Sequence, residues 1–188
     1  VLDDQPELRQ RLKLRAAVRT ANAEGVRVAV EDLIEVDDYV EYREAWDYAR
    51  RVEQASDAIV SLVDAGAAGA AIDIAREAFD LLTDAYASVD DSSGAVGGAR
   101  HSLFAAHLRA CQVARPDPEG LAEYLMDVFL EDQYGFEPEL DDYSPLLDEA
   151  GQAVVRRRMS EFSKQNPGSW RAQHLMELIT KAEAGNLG

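Results

Sequence analysis

Cysteine is nearly missing from this sequence: Cys111 stands alone among 188 residues. A single thiol excludes an internal disulfide framework and any thiolate cage for a metal within the chain. Glycine (12) and proline (6) are scarce while alanine is abundant, a balance that favours helix. Positive charge is also in short supply. Nineteen basic residues face thirty-six acidic ones, for a formal net charge of −17. A field of that sign repels phosphate backbones, so direct nucleic-acid binding by this chain is not expected. The deficit is uneven, because Arg9, Arg11, Lys13, Arg15 and Arg19 make the opening helix basic. No apolar run approaches the roughly 20 residues that cross a bilayer. The start, VLDDQPELRQ, has neither the cationic head nor the apolar stretch of a secretory signal. These absences predict a soluble, cytoplasmic protein with no membrane role.

What is present is an apolar content of 47%, enough hidden surface to offset chain entropy. The length suits one domain or one continuous section of a repeat array. Its organising stretch is His101 to Gly135, a helix, a Pro-Asp-Pro break, and a second helix apolar around most of its circumference. Such a helix belongs inside a packed array.

Taken in order, the spacing predicts an all-α chain of about eight helices and essentially no strand. Asp3, Asp4 and Pro6 open a helix to about Asn22, and a second runs from Glu24 to about Val36. A third spans about Tyr42 to Ala65, its inward seam Ala45, Tyr48, Val52, Ala55, Ile59 and Leu62 suited to antiparallel packing. Gly66 ends it as a left-handed cap. The fourth, about Ala67 to Ser88, carries the stripe Ile74, Ala78, Leu81, Leu82 and Ala85. After the loop Val89 to Gly94, a fifth runs from Ala95 to Ala114 with Leu103, Phe104, Leu108 and Cys111 inward. Asp117 caps the sixth and Pro118 takes its first position, where no amide hydrogen is missed. A short helix or helical loop follows at 139–148, then helices at about Glu149 to Lys164 and Ser169 to Ala184.

Ile74, Leu125 and Leu175 occupy corresponding places at steps of 51 and 50 residues. Three degenerate antiparallel hairpins would produce this echo, at about 42–88, 95–134 and 149–184 with an N-terminal pair at 5–36. Together they would make one TPR-like or HEAT-like domain over 1–188, with units longer than the ~34 residues of a tetratricopeptide repeat.

Candidate chemistry is sparse. His107 and Cys111 share a helix face, which permits a thiol–imidazole contact. Cys111 also sits on the apolar stripe, where a small buried thiol is ordinary. His101, His107 and His174 form no HExxH or HxH pattern. Asp90 to Gly94 superficially resembles a calcium loop, but His101 stands where its twelfth, acidic residue is required. No catalytic, metal or cofactor site is therefore expected. Glu119, Glu123, Asp127 and Glu131 recur every four residues as an acidic stripe. Like charges at that spacing repel, so either Arg156, Arg157 and Arg158 or an external basic partner compensates them. Tyr134, Phe136 and Tyr143 lie in the densest aromatic–acidic segment. They either plug the space between hairpins or, exposed, form the best binding hot spot in the chain. Trp46 and Trp170 read as core or inter-repeat packing.

The segment HLRACQVARPDPEGLAEYLMDVFLEDQYGFEPELDDYSPLLDEAG, His107 to Gly151, resembles the helical region following the zinc finger in bacterial, especially actinobacterial, SWIM zinc-finger proteins. It is also similar to a related helical domain family of unknown function. EYREAWDYARRVEQASDAIVSLVDAG upstream and RAQHLMELITKAEAGNLG at the end look like the same lineage. The resemblance implies a helical repeat module working beside a finger. A SWIM finger needs three cysteines and a histidine, so no zinc ligands carry over to this chain.

The leading expectation is a non-enzymatic helical scaffold, part of a larger protein, that binds a protein partner. That partner is basic if the acidic stripe is the contact, with Glu119, Glu123, Asp127, Glu131, Tyr134, Phe136 and Tyr143 as candidate contacts. The alternatives are an accessory domain of a DNA-associated SWIM protein, and an enzyme using carboxylate or Cys111 chemistry.

Overall fold

The computed structural model describes residues 12, 14–18, 20–132, 134, 138–169 and 172–173. Among these the chain is all-α, with seven α-helices and one 3-10 turn besides the helical residues 14–18. Extended backbone pairs there only in an isolated parallel bridge, Val40 with Val89. Contacts group the chain into two compact units, Val1–Ala114 and Arg115–Gly188.

The first unit holds α1 (Ala23–Ile34), α2 (Ala45–Asp64), α3 (Ala68–Tyr86) and α4 (Ala95–Ala114). The Asn22 side chain starts α1 by accepting from the Gly25 amide at 3.2 Å. In α2 every residue of the predicted seam, Ala45, Tyr48, Val52, Ala55, Ile59 and Leu62, is buried. Each branched or aromatic member contributes roughly 1.5–3 kcal/mol by leaving water. Gly66, at φ +89°, closes the helix: its amide reaches Val63 O and that of Ala67 reaches Leu62 O at 3.1 Å. A residue with a Cβ would be strained there.

Side-chain contacts fix the helix directions. Tyr48 reaches Ile34 O while Arg51 reaches Asp32 O, so α1 and α2 run antiparallel. Arg109 meets Asp64 near the C-terminal ends of both α2 and α4, which therefore run parallel. Arg76 meets His107 and Phe79 meets Phe104, so α3 and α4 are antiparallel. Buried Ala99, Ala106 and Ala110 let α4 lie close against its neighbours. Asp91 caps α4 with both oxygens, accepting from Val96 N (3.0 Å) and Gly97 N (2.8 Å). The Val89 to Gly94 segment is thus the capped loop that was expected.

The second unit holds α5 (Pro118–Glu131), the one-turn α6 (Leu140–Tyr143), a 3-10 turn (Ser144–Leu146) and α7 (Glu149–Gln165). Asp117 caps α5 through Gly120 N at 2.7 Å, and Asp148 caps α7 through Gly151 N at 2.9 Å. Met126, Phe129 and Met159 form the core, with Leu130, Leu140, Val155 and Phe162 packed on it. Gly151 lies so near the start of α5 that a Cβ on it would stand 2.8 Å from Pro118 O. Farther along, Arg158 meets Glu123 and Asp127. The two helices therefore run in the same direction.

The division after Ala114 falls inside the span read from sequence as the 95–134 hairpin. There α4 packs on α2 and α3, and α5 packs on α7. Ile74 and Leu125 are each fully buried. Leu175, the third member of the echo, lies outside the described residues, as do Trp170 and His174.

Candidate functional site

The residues singled out by sequence do not gather on one surface. On α5, Glu123 accepts from Arg157 (2.6 Å) and Arg158 (2.5 Å), and Asp127 accepts from Arg158 at 2.6 Å. The hydrogen bond from Arg158 holds the Glu123 carboxyl below its ordinary range, with Arg157 adding to it against partial burial. Asp127, then Glu123, raise the Arg158 guanidinium in turn. The middle of the acidic stripe is thus compensated from within the chain. Its ends, Glu119 and Glu131, are exposed and make no ion pair among the described residues. Tyr134 is 43% exposed, but Tyr143 is 2% exposed and packs in the interior, so it lines no surface. Phe136 lies outside the described residues.

His107 and Cys111 do meet, with Sγ 3.6 Å from Nε2. The same Nε2 accepts from Arg76 Nε at 3.4 Å. Both side chains are almost fully buried, at 1% and 0% exposure. Burial, then the Arg76 charge, drives the imidazole down to about 3. Burial pushes the thiol up to about 11, with Arg76 pulling partly back. At neutral pH both groups are uncharged, whereas nucleophilic thiol chemistry needs a thiolate beside a base that can take its proton. The pair suits packing. Among the described residues no group of three or more His, Cys, Asp or Glu could hold a metal ion. Nor is any described helix long and apolar enough to cross a membrane.

A different surface carries the features of a site. The loop from α1 to α2 and the facing ends of those helices enclose an open cleft of about 610 Å³. Six carboxylates line it: Asp32, Glu35, Asp37, Asp38, Glu44 and Asp47. Asp47 pairs with Arg50, and Glu44 accepts from the Glu41 amide. Asp32, Glu35, Asp37 and Asp38 make no ion pair among the described residues. One guanidinium already sits in the wall. Arg51 donates to Glu35 O (2.8 Å) and Asp32 O (3.3 Å), covering carbonyls that the end of α1 leaves open. Beneath it, Tyr48 donates to Ile34 O at 2.7 Å. Burial holds the Tyr48 phenol up at about 12 against the pull of Arg51.

Three large aromatics accompany these acids in the open. Tyr39 lines the cleft at 61% exposure, Tyr42 is 52% exposed in the turn before α2, and Trp46 is 61% exposed in its first turn. Trp46 is therefore not the packing residue expected of it. The signal was present, since it falls one position after Ala45 and so off the inward seam. The loop is also pinned: Val40 N donates to Ser88 O, and Asp90 N donates to Val40 O, each at 2.9 Å.

The sequence model of a family of unknown function, DUF6880, matches residues 2–185. No curated protein and no solved structure matches the chain.

Proposed function

The chain belongs to the DUF6880 family of unknown function, and from that premise we propose that it is a non-enzymatic helical module for protein–protein interaction. Its working face, on this reading, is the acidic cleft between α1 and α2, with Tyr39 in its wall. The observation that carries it is the exposure of Tyr39 in the cleft wall, with Tyr42 and Trp46 exposed in the turn and helix start that follow. Aromatics are the side chains that most often anchor interfaces, and Tyr39 stands on a loop already fixed by the backbone hydrogen bonds of Val40. The uncharged state of His107 and Cys111 supports assigning no reaction to the chain, and a cytoplasmic setting belongs to the same proposal.

A photo-crosslinking phenylalanine analogue placed at Tyr42 or Trp46, in cells that naturally carry the protein, tests this. The expected result is one discrete crosslinked partner that is lost when the remaining two aromatics become alanine. An analogue at Val113, an exposed apolar residue on α4, is expected to yield none. Equal yields at all three positions would overturn the proposal.

The likeness of residues 107–151 to the helical region of SWIM zinc-finger proteins supports a second reading, an accessory domain whose DNA contact is made by a finger outside this chain. On that reading the isolated chain leaves duplex DNA unshifted in a gel at physiological salt, in keeping with its net charge of −17. A shift would count against it.

A further inference from the structure

We propose that the occupant of this cleft is a flexible lysine- or arginine-bearing segment of another protein. The proposal rests on the interaction reading above and deepens it by naming the chemistry of the partner. Charge complementarity carries it. Asp32, Glu35, Asp37 and Asp38 stand together at the C-terminal end of α1 without an ion pair among the described residues. That end of a helix presents its own partial negative charge, which favours cations. Arg51 shows the mode on a small scale. Its guanidinium bonds two of the terminal carbonyls and lies 5.4 Å from the centre of the Tyr48 ring.

Exposed Tyr39 in the cleft wall extends the same chemistry outward, because a cation is drawn to an aromatic face as well as to a carboxylate. An acidic or phosphorylated partner would be repelled here. A volume of about 610 Å³ admits more than one side chain. The bridge at Val40 fixes the loop beforehand, which lowers the ordering cost of binding.

The test is fluorescence anisotropy with two labelled twelve-residue peptides. One repeats Gly-Lys-Ser-Arg and the other replaces each basic residue with glutamine. The cationic peptide is expected to bind and the neutral one not to. Asp37→Asn with Asp38→Asn is expected to weaken binding about tenfold, as removal of two opposed charges should. Tyr39→Ala is expected to weaken it several-fold. Asp37, Asp38 and Tyr39 are exposed, so these variants keep the fold, which circular dichroism checks.

Asp141→Asn with Asp142→Asn removes the same charge from the second unit and is expected to leave binding within about twofold. If that control weakens binding equally, the attraction belongs to the charge of the whole chain and the proposal falls. It falls too if neither peptide binds, or if both bind alike. Self-association of the chain that the cationic peptide displaces, seen by light scattering, would give the cleft to a second copy and overturn it. Failure of the crosslinking experiment above to yield any discrete partner would sink the interaction reading itself. A crosslinked partner that survives Asp37→Asn with Asp38→Asn would leave that reading standing and remove only the cationic occupant.

Discussion

Two neighbouring stretches of one chain reach a folded state by different means. In the first unit, α2 buries ten of its twenty residues along a seam of alanine, branched aliphatics and Tyr48. In the second, α7 buries three of seventeen, Gly151, Val154 and Met159. Where the apolar contact is thin, charge is arranged instead: Arg157 and Arg158 close on Glu123 and Asp127 of α5. The means differ in strength. Burying an aliphatic side chain contributes roughly 1.5–3 kcal/mol, whereas an exposed ion pair contributes about 0.2–1 kcal/mol and is weakened by salt. The second unit is therefore expected to be the less stable of the two and the more responsive to ionic strength.

Acidification gives the largest expected effect, and it falls on the first unit through His107. Its folded-state value, about 3, lies below the ~6.5 of an unfolded chain. The unfolded chain therefore takes up the proton first. Stability is full above about 6.5 and is lost progressively as the pH falls toward 3. Lowering the pH from 7 to 4 is expected to cost on the order of 3 kcal/mol at this one site. Amide hydrogen exchange across α3 and α4 would show it. His107→Gln is expected to remove most of that dependence, and an unchanged pH profile in the variant would break the assignment. Glu123, depressed in the second unit, has stability to lose only at the acid end, as the pH falls through its lowered folded value. Solvent at this partly exposed pair keeps that loss small.

Gly151→Ala comes next. The new Cβ would meet a backbone carbonyl rather than a pliable side chain, so α7 must move away from α5. A cost of about 1–3 kcal/mol is expected, read as faster exchange in α5 and α7. The smallest effect is that of Arg158→Gln, which removes one of the two arginines on Glu123 and the arginine on Asp127. About 1 kcal/mol is expected at low salt and much less in 1 M salt. A loss that persisted undiminished in high salt would mean that the arginine acts through its hydrocarbon stem, and would collapse the contrast between the units.

Most of this was legible in the sequence because helices announce themselves locally. The seam of α2, the left-handed Gly66, the Asp117–Pro118 start and the full extent of α4 all follow from patterns a few residues long. Compensation of the acidic stripe by the arginines of α7 was one of two readings open from sequence, and coordinates were needed to choose between them. The shared direction of α5 and α7 was not visible, because it depends on which side chains of the two helices meet rather than on periodicity. The aromatic cleft was missed for a related reason. Spacing says which residues leave water, but not which of those left behind come together. Asp32, Tyr39 and Asp47 join one surface only because α1 and α2 fold back on each other. Trp46 was misplaced through its type, since a large aromatic suggests a core, although its position off the seam argued otherwise.

The single pairing of Val40 with Val89 ties two loops that are nearly fifty residues apart in sequence. An insertion immediately beside Val40 or Val89 would displace that bridge and loosen the cleft wall that Val40 lines. One placed farther along either loop would bulge outward and leave the cleft as it is.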